Sequence, residues 1–134
     1  MKTFTSTKAP AAIGPYSQAV SANGTVYVSG QLPVCADTGI LETDIRKATA
    51  RCLENISAIL GEASLTLADS LKLTLFLADM ADFAAMNEIY SGYFTAPFPA
   101  RVCVAVAALP KNARIEIDCV AAAGSAPTAG AAAK

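Results

Sequence analysis

The chain reads as an α+β sandwich with its helices on one face of the sheet. Two observations point there. Runs with a two-residue apolar period are interrupted by only two runs with a helical period of three to four residues. Their order is a hairpin, then helix, strand, helix, strand and strand, which suits helices gathered on one side of a sheet. A length of 134 residues suits one domain.

Residues 1–15 hold Pro10 and Gly14-Pro15 and read as a short edge strand followed by a loop. Ala19 to Ser29 reads as a hairpin, because Asn23-Gly24 supplies the positive φ angles of a type I′ turn between Val20 and the alternating Val26 and Val28. Pro33 and Asp37-Thr38-Gly39 mark a loop. From Asp44 to about Gly61, Ile45, Ala48, Cys52, Ile56, Ile59 and Leu60 recur at helical spacing, with Arg46, Lys47, Arg51 and Glu54 on other faces. Asp69 to Ala78 returns to a period of two. A second helix is expected over Met80 to Thr95, with Phe83, Met86, Tyr90 and Phe94 as its stripe and Pro97 and Pro99 ending it. Val102, Val104 and Val106 then alternate with Arg101, Cys103 and Ala105. After a turn at Pro110-Lys111-Asn112, Ile115, Ile117 and Cys119 alternate with Arg114, Glu116 and Asp118. The domain is expected to span residues 1–123, with residues 124–134 as a flexible alanine-rich tail.

Composition narrows the chemistry. Ten Lys+Arg against eleven Asp+Glu leave a net charge of -1, which argues against a protein living on nucleic-acid phosphates. Histidine is absent, and with it Ser-His-Asp and Cys-His nucleophile pairs and His-ligated zinc. Cys35, Cys52, Cys103 and Cys119 form no C-x-x-C pair, and a chain of this length builds a core without disulfide staples. The start lacks the apolar stretch of a signal peptide, and the longest apolar run, Val102 to Leu109, is far short of the roughly 20 residues of a membrane span. The expected location is the cytoplasm. Alanine supplies 29 residues, so layers should pack thinly and a second subunit would help complete them.

Strand phase suggests two unlike faces. Leu71, Leu73, Leu75, Leu77, Val102, Val104, Val106, Ile115 and Ile117 would hold the helices. Thr74, Phe76, Arg101, Cys103, Ala105, Glu116 and Val120 would share the other face. That second face reads either as a wet subunit interface containing a site or as an ordinary exposed sheet surface. Arg101 and Glu116 stand out on it. A guanidinium can grip a carboxylate with two parallel hydrogen bonds, and a carboxyl can position or deprotonate a water, but the spacing alone favours a structural cross-strand ion pair. Cys103 faces the same way as Arg101, with no base to activate it. Ser29-Gly30 ends a strand where backbone could approach a ligand, or simply turns. Tyr16 is a loop anchor or a pocket lid. Asn87 lies mid-helix, facing solvent or a subunit boundary.

Four segments taken together carry a resemblance: Ala11-Ala12-Ile13-Gly14-Pro15-Tyr16-Ser17-Gln18-Ala19, Val28-Ser29-Gly30-Gln31-Leu32-Pro33, Phe98-Pro99-Ala100-Arg101-Val102-Cys103-Val104, and Leu109-Pro110-Lys111 before Ile115-Glu116-Ile117. In order and spacing the chain resembles the RidA family of imine deaminases, also called YjgF-like or L-PSP endoribonucleases, over about residues 3–123. The resemblance implies a chorismate-mutase-like fold with a mixed sheet, assembled as a homotrimer with clefts between subunits. It implies hydrolysis of enamines and imines such as 2-aminoacrylate to 2-oxo acids and ammonia, with no cofactor. By motif, Arg101 would bind the substrate carboxylate and Glu116 would orient water and assist proton transfer. Tyr16, Ser29, Gly30, Asn87 and Cys103 would line the pocket. Thr95-Ala96-Pro97 is short for the deaminating members, and Val102, expected to point to the core, stands where serine is common. A noncatalytic sensor of 2-oxo acids, a chaperone-like binder, and an endoribonuclease that inhibits translation are the rival readings.

Overall fold

The computed structural model describes residues 1–122, so the expected tail at 124–134 lies outside the described residues. Asn23 and Gly24 both take positive φ, 52° and 78°. This primed turn folds β2 (Ala19–Ala22) back on β3 (Thr25–Gln31) as expected, and β1 (Lys2–Phe4) pairs with β2 as the outermost strand. α1 (Ile45–Glu62) begins where the Asp44 side chain accepts a hydrogen bond from the Lys47 amide at 3.0 Å. Its buried face includes Ile45, Ala48, Cys52, Ile56, Ile59 and Leu60, the residues its periodicity singles out.

β4 (Ser70–Leu77) leads into α2 (Phe83–Ser91), which is shorter than expected at both ends. At the start, the Asp79 carboxylate accepts from the Ala81 amide at 2.9 Å and ties Met80–Asp82 into a separate 3-10 turn. At the other end α2 stops before Gly92, and Phe94 is buried without being helical. β5 (Ala100–Ala105) and β6 (Ile115–Ala122) complete the sheet.

The strand order is β1-β2-β3-β6-β4-β5. Among the described strands only β4 and β5 are parallel neighbours, and α2 supplies the crossover such a pair requires. The last of the described strands, β6, therefore lies inside the sheet, between β3 and β4, and its Ile115, Ile117 and Cys119 are almost wholly buried. The core lies between sheet and helices. Leu73, Leu75 and Leu77 meet Cys52, Ile56 and Ile59 of α1 and Met86 of α2, all without exposure. Each large aliphatic side chain so buried contributes about 1.5–3 kcal/mol. Arg114 holds the start of α2 against the sheet, its Nη2 and Nε reaching the two oxygens of Asp82 at 2.6 and 3.1 Å. Among the described residues no helix is long and apolar enough to cross a membrane.

Two expectations about faces are corrected. Leu71 does not join the core: the β4–β6 register slips between Ser70 and Lys72, and the extra residue is half-exposed. The phase of β5 is inverted relative to expectation. Arg101, Cys103 and Ala105 pair directly with Leu73, Leu75 and Leu77 and so share the helix side. Val102 and Val104 pair with Thr74 and Phe76 on the helix-free side, each 39% exposed, and Val106 lies past the strand's end. Alternation in a strand says that one face is apolar but not which one. At this sheet edge the aliphatic face is turned away from the helices.

Candidate active site

The expected site residues fall into two groups that one chain does not bring together. The first surrounds Glu116. In β3 the ladder runs from Val28 opposite Cys119 to Gln31 opposite Ile117, so Ser29 and Gly30 face Asp118 alone in a bulge. The bulge is pinned by Ser17 and Gln18: the Ser29 hydroxyl donates to the Ser17 carbonyl at 2.6 Å, and the Ser29 amide to the Gln18 carbonyl at 2.9 Å. Gly30 is a glycine for a steric reason. A Cβ there would overlap the Glu116 carboxylate and stand 2.9 Å from its Cδ, so the carboxyl lies directly on the bare Cα.

Glu116 points to the helix-free side, directly paired with Phe76. Burial raises its pKa above the ordinary carboxylate value, and the Asp118 carboxylate adds to the rise. Among the described residues no cation forms an ion pair with it. Tyr16, 54% exposed, follows Gly14, whose φ of 126° is open only to glycine, and together with Ser29, Gly30 and Glu116 it borders an open cleft of about 910 Å³. Lys111 and Cys35 stand on the same cleft, and donors from Thr38 pull the Cys35 thiol pKa down.

The second group surrounds Arg101, on the helix side of β5. Its Nη1 donates to Asn87 Oδ1 at 2.6 Å, and its guanidinium lies over the rings of Tyr90 at 4.9 Å and Phe83 at 5.6 Å. Three residues of α2 thus hold one cation by its flat face and one edge, leaving its other donors without a carboxylate among the described residues. The small pocket beside it, about 270 Å³, is bordered by Asn87, Tyr90, Phe98 and Arg101. Cys103 lies two residues along on the same face, its thiol pKa raised by burial with a smaller opposing effect of Arg101.

The expectation that Arg101 and Glu116 share a face of adjacent strands is therefore corrected. β4 lies between their strands, the two side chains leave opposite sides of the sheet, and the two pockets share no residue. Asn87, half-buried on α2, spends its side-chain oxygen on Arg101. In sequence Tyr90 and Phe83 stand out only as core-stripe residues. The signal for Tyr90 was present in its position three residues after Asn87, on the same helix face.

Residues 6–123 match the family model described as Endoribonuclease L-PSP. The chain belongs to this family. It is 46% identical to the 2-iminobutanoate/2-iminopropanoate deaminase of Salmonella typhimurium, over 90% of this chain and 96% of that protein. It is 48% identical to Reactive Intermediate Deaminase A, chloroplastic, of Arabidopsis thaliana, over 85% of this chain and 62% of that longer protein. Among solved structures it is similar to Escherichia coli TdcF with bound serine, with a TM-score of 0.88 and 42% identity over 91% of this chain and 98% of that one. The α+β sandwich of this family is the architecture described above.

Proposed function

We propose that the chain is a cytoplasmic imine deaminase that converts small 2-imino acids and their enamine tautomers, such as 2-aminoacrylate, to 2-oxo acids and ammonia. Its active sites lie between subunits of a homotrimer, each combining the Arg101 group of one copy with the Glu116 group of the next. One observation carries the reading: two chemically complementary half-sites, a held but unpaired guanidinium and a desolvated carboxyl, stand on opposite sides of one sheet. A second copy joins them where no bending of one chain could. The helix-free face supports this, because Phe76, Val102, Val104, Val120 and Tyr27 make it too apolar to be left bare. The deaminase name of the Salmonella relative and the serine in TdcF, a small molecule with a carboxylate beside an amine-bearing carbon, support the substrate class.

In this reading the free edge of the Arg101 guanidinium takes the substrate carboxylate in a bidentate pair. That grip sets the imine carbon against a water held by Glu116. The substrate reacts as its protonated imine: the ionised carboxylate accepts a proton as the water oxygen attacks that carbon, and the C=N π pair moves to nitrogen, which becomes a neutral amine. The resulting carbinolamine collapses when Glu116 returns its proton to the amine. The C–N bond breaks, ammonia leaves, and loss of the hydroxyl proton makes the 2-oxo acid. Water is the only co-reactant. The imine is already electrophilic, so positioning and a single acid-base group suffice: orientation supplies up to about 7–11 kcal/mol and a placed acid or base about 10²–10⁴-fold. Ser29 and Gly30 shape the wall behind Glu116, Asn87 fixes the guanidinium, Tyr16 covers the cleft, and Cys103 contributes shape.

The endoribonuclease in the family's description fits these residues poorly. RNA cleavage by cyclisation calls for paired acid-base groups and a basic groove, whereas the chain has no histidine and a net charge of -1. A sensor of 2-oxo acids would need the Arg101 grip but no desolvated carboxyl beside it. The test is a coupled assay in which a serine dehydratase generates 2-aminoacrylate and pyruvate release is followed with and without the protein. Acceleration by wild type and its loss in Glu116→Gln are expected. No acceleration by wild type would leave the sensor as the better reading.

A further inference from the structure

Gln18 is 2% exposed, yet its side chain is spent entirely on one neighbouring segment. Its Oε1 accepts from the Ser6 amide at 2.7 Å, and its Nε2 donates to the Ser6 carbonyl at 3.1 Å and the Pro10 carbonyl at 2.8 Å, with the Ala9 carbonyl at the limit of 3.5 Å. Residues 5–16 have little else to hold them. Beyond these bonds they make one short backbone contact, Tyr16 amide to Gly14 carbonyl at 2.9 Å, one from the Lys8 amide to Ser6 Oγ at 3.1 Å, and the burial of Ser6 and Ala9, and the next residue, Ser17, accepts the Ser29 hydroxyl. The main chain of the same glutamine meets the other side of the cleft, since its carbonyl accepts the Ser29 amide. The Ser17 carbonyl holds the end of the arm to the same bulge, but only Gln18 joins the bulge that seats Glu116 to the Ser6–Pro10 stretch from which the Tyr16 arm departs.

We propose that Gln18 is a positioning residue that holds the Tyr16 arm in the conformation that covers bound substrate. It touches neither the imine nor the reacting water and acts through Tyr16. This rests on the deaminase reading for its kinetic consequence, but not for its structural one. Apparent affinity scales with the fraction of molecules whose arm is already docked. Undocking therefore weakens binding and leaves the bound, covered complex to react at its usual rate. Gln18→Glu replaces the donor facing two carbonyls with a second acceptor while keeping the acceptor for Ser6.

The kinetic test compares wild type and Gln18→Glu with 2-iminopropanoate. KM is expected to rise about tenfold with kcat within about twofold. A purely structural role predicts the reverse pattern, a fall in kcat at unchanged KM as the folded fraction drops, and that result overturns the proposal. The chain has no tryptophan, so Tyr16→Trp places a lone indole on the arm, excited at wavelengths the remaining tyrosines do not absorb. Its anisotropy is expected to fall when Gln18→Glu is added, and equal anisotropy in the two backgrounds overturns the proposal whether or not the protein turns over imines. Hydrogen exchange on wild type needs no variant to fold. The Ser6 amide should exchange as slowly as the amides of β2, and exchange at the rate of an unstructured chain overturns the proposal.

Discussion

The two sides of the sheet prepare opposite charges in opposite ways. On the helix side Arg101 stays largely exposed, and its order comes from outside the strand: two aromatic rings and one amide of α2 fix the guanidinium while leaving donors free. On the helix-free side Glu116 is partly desolvated, and its environment comes from a subtraction, the missing side chain at Gly30. A cation that must grip an incoming carboxylate gains from being held and wet. A carboxyl that must take a proton from water gains from being dry, because burial makes it a stronger base. Neither environment could serve the other group.

That contrast is tested hardest at the acid. Glu116→Gln preserves size and should lower kcat by about 10²–10⁴-fold in the coupled pyruvate assay, with the melting curve intact or improved. A loss under about fivefold would mean that the carboxyl is not the proton acceptor. Arg101→Ala should lower kcat/KM by about a hundredfold while far-UV circular dichroism stays as in wild type. Turnover of 2-iminopropanoate at the wild-type rate in that variant removes the clamp role. The seat of the acid comes next. Gly30→Ala must displace the Glu116 carboxyl, so kcat should fall by about ten- to a hundredfold. The same change added to Glu116→Gln should cost much less, and full additivity would detach Gly30 from the acid.

The smallest expected effect is on pH. Because the folded chain raises the Glu116 pKa, it retains that proton over a range in which the unfolded chain has released it. Stability is therefore lost as pH rises from the ordinary carboxylate value through the raised one, and Glu116→Gln should flatten this slope. Activity moves the other way, since the base appears only above the raised pKa. The acid limb of kcat/KM should lie above the ordinary glutamate value of 4.5 and persist in Arg101→Lys. A limb at the ordinary value would place the group in a wetter setting than described.

Much of this was legible in sequence, and most of what was not concerns which face of a strand meets the helices. Asn23-Gly24 announces its turn because few dipeptides accept two positive φ angles, and Asp44 announces α1 because a carboxylate there satisfies a free amide. The motifs single out Tyr16, Ser29, Gly30 and Glu116, which border one cleft, and Arg101 and Asn87, which border another, but not Phe83 or Tyr90, whose places over the guanidinium are hidden in the apolar stripe of α2. What could not be read was side. The valines of β5 and the leucines of β4 both alternate, and a two-residue period carries no information on which face meets the helices. For Leu71 a single inserted residue sufficed to break the phase. The separation of Arg101 from Glu116 was hidden for the same reason, and because strand order, which puts β4 between them, is fixed by tertiary contacts rather than by any local pattern.

Whether two copies build each site can be measured by mixing Arg101→Ala and Glu116→Gln proteins, each nearly inactive alone, then dissociating and reassembling them in equal amounts. In a closed ring of three, every mixed ring contains one site with both native groups, so the mixture should recover about a quarter of wild-type activity. If mixed rings form but activity stays at the level of the separate variants, the shared-site account is wrong.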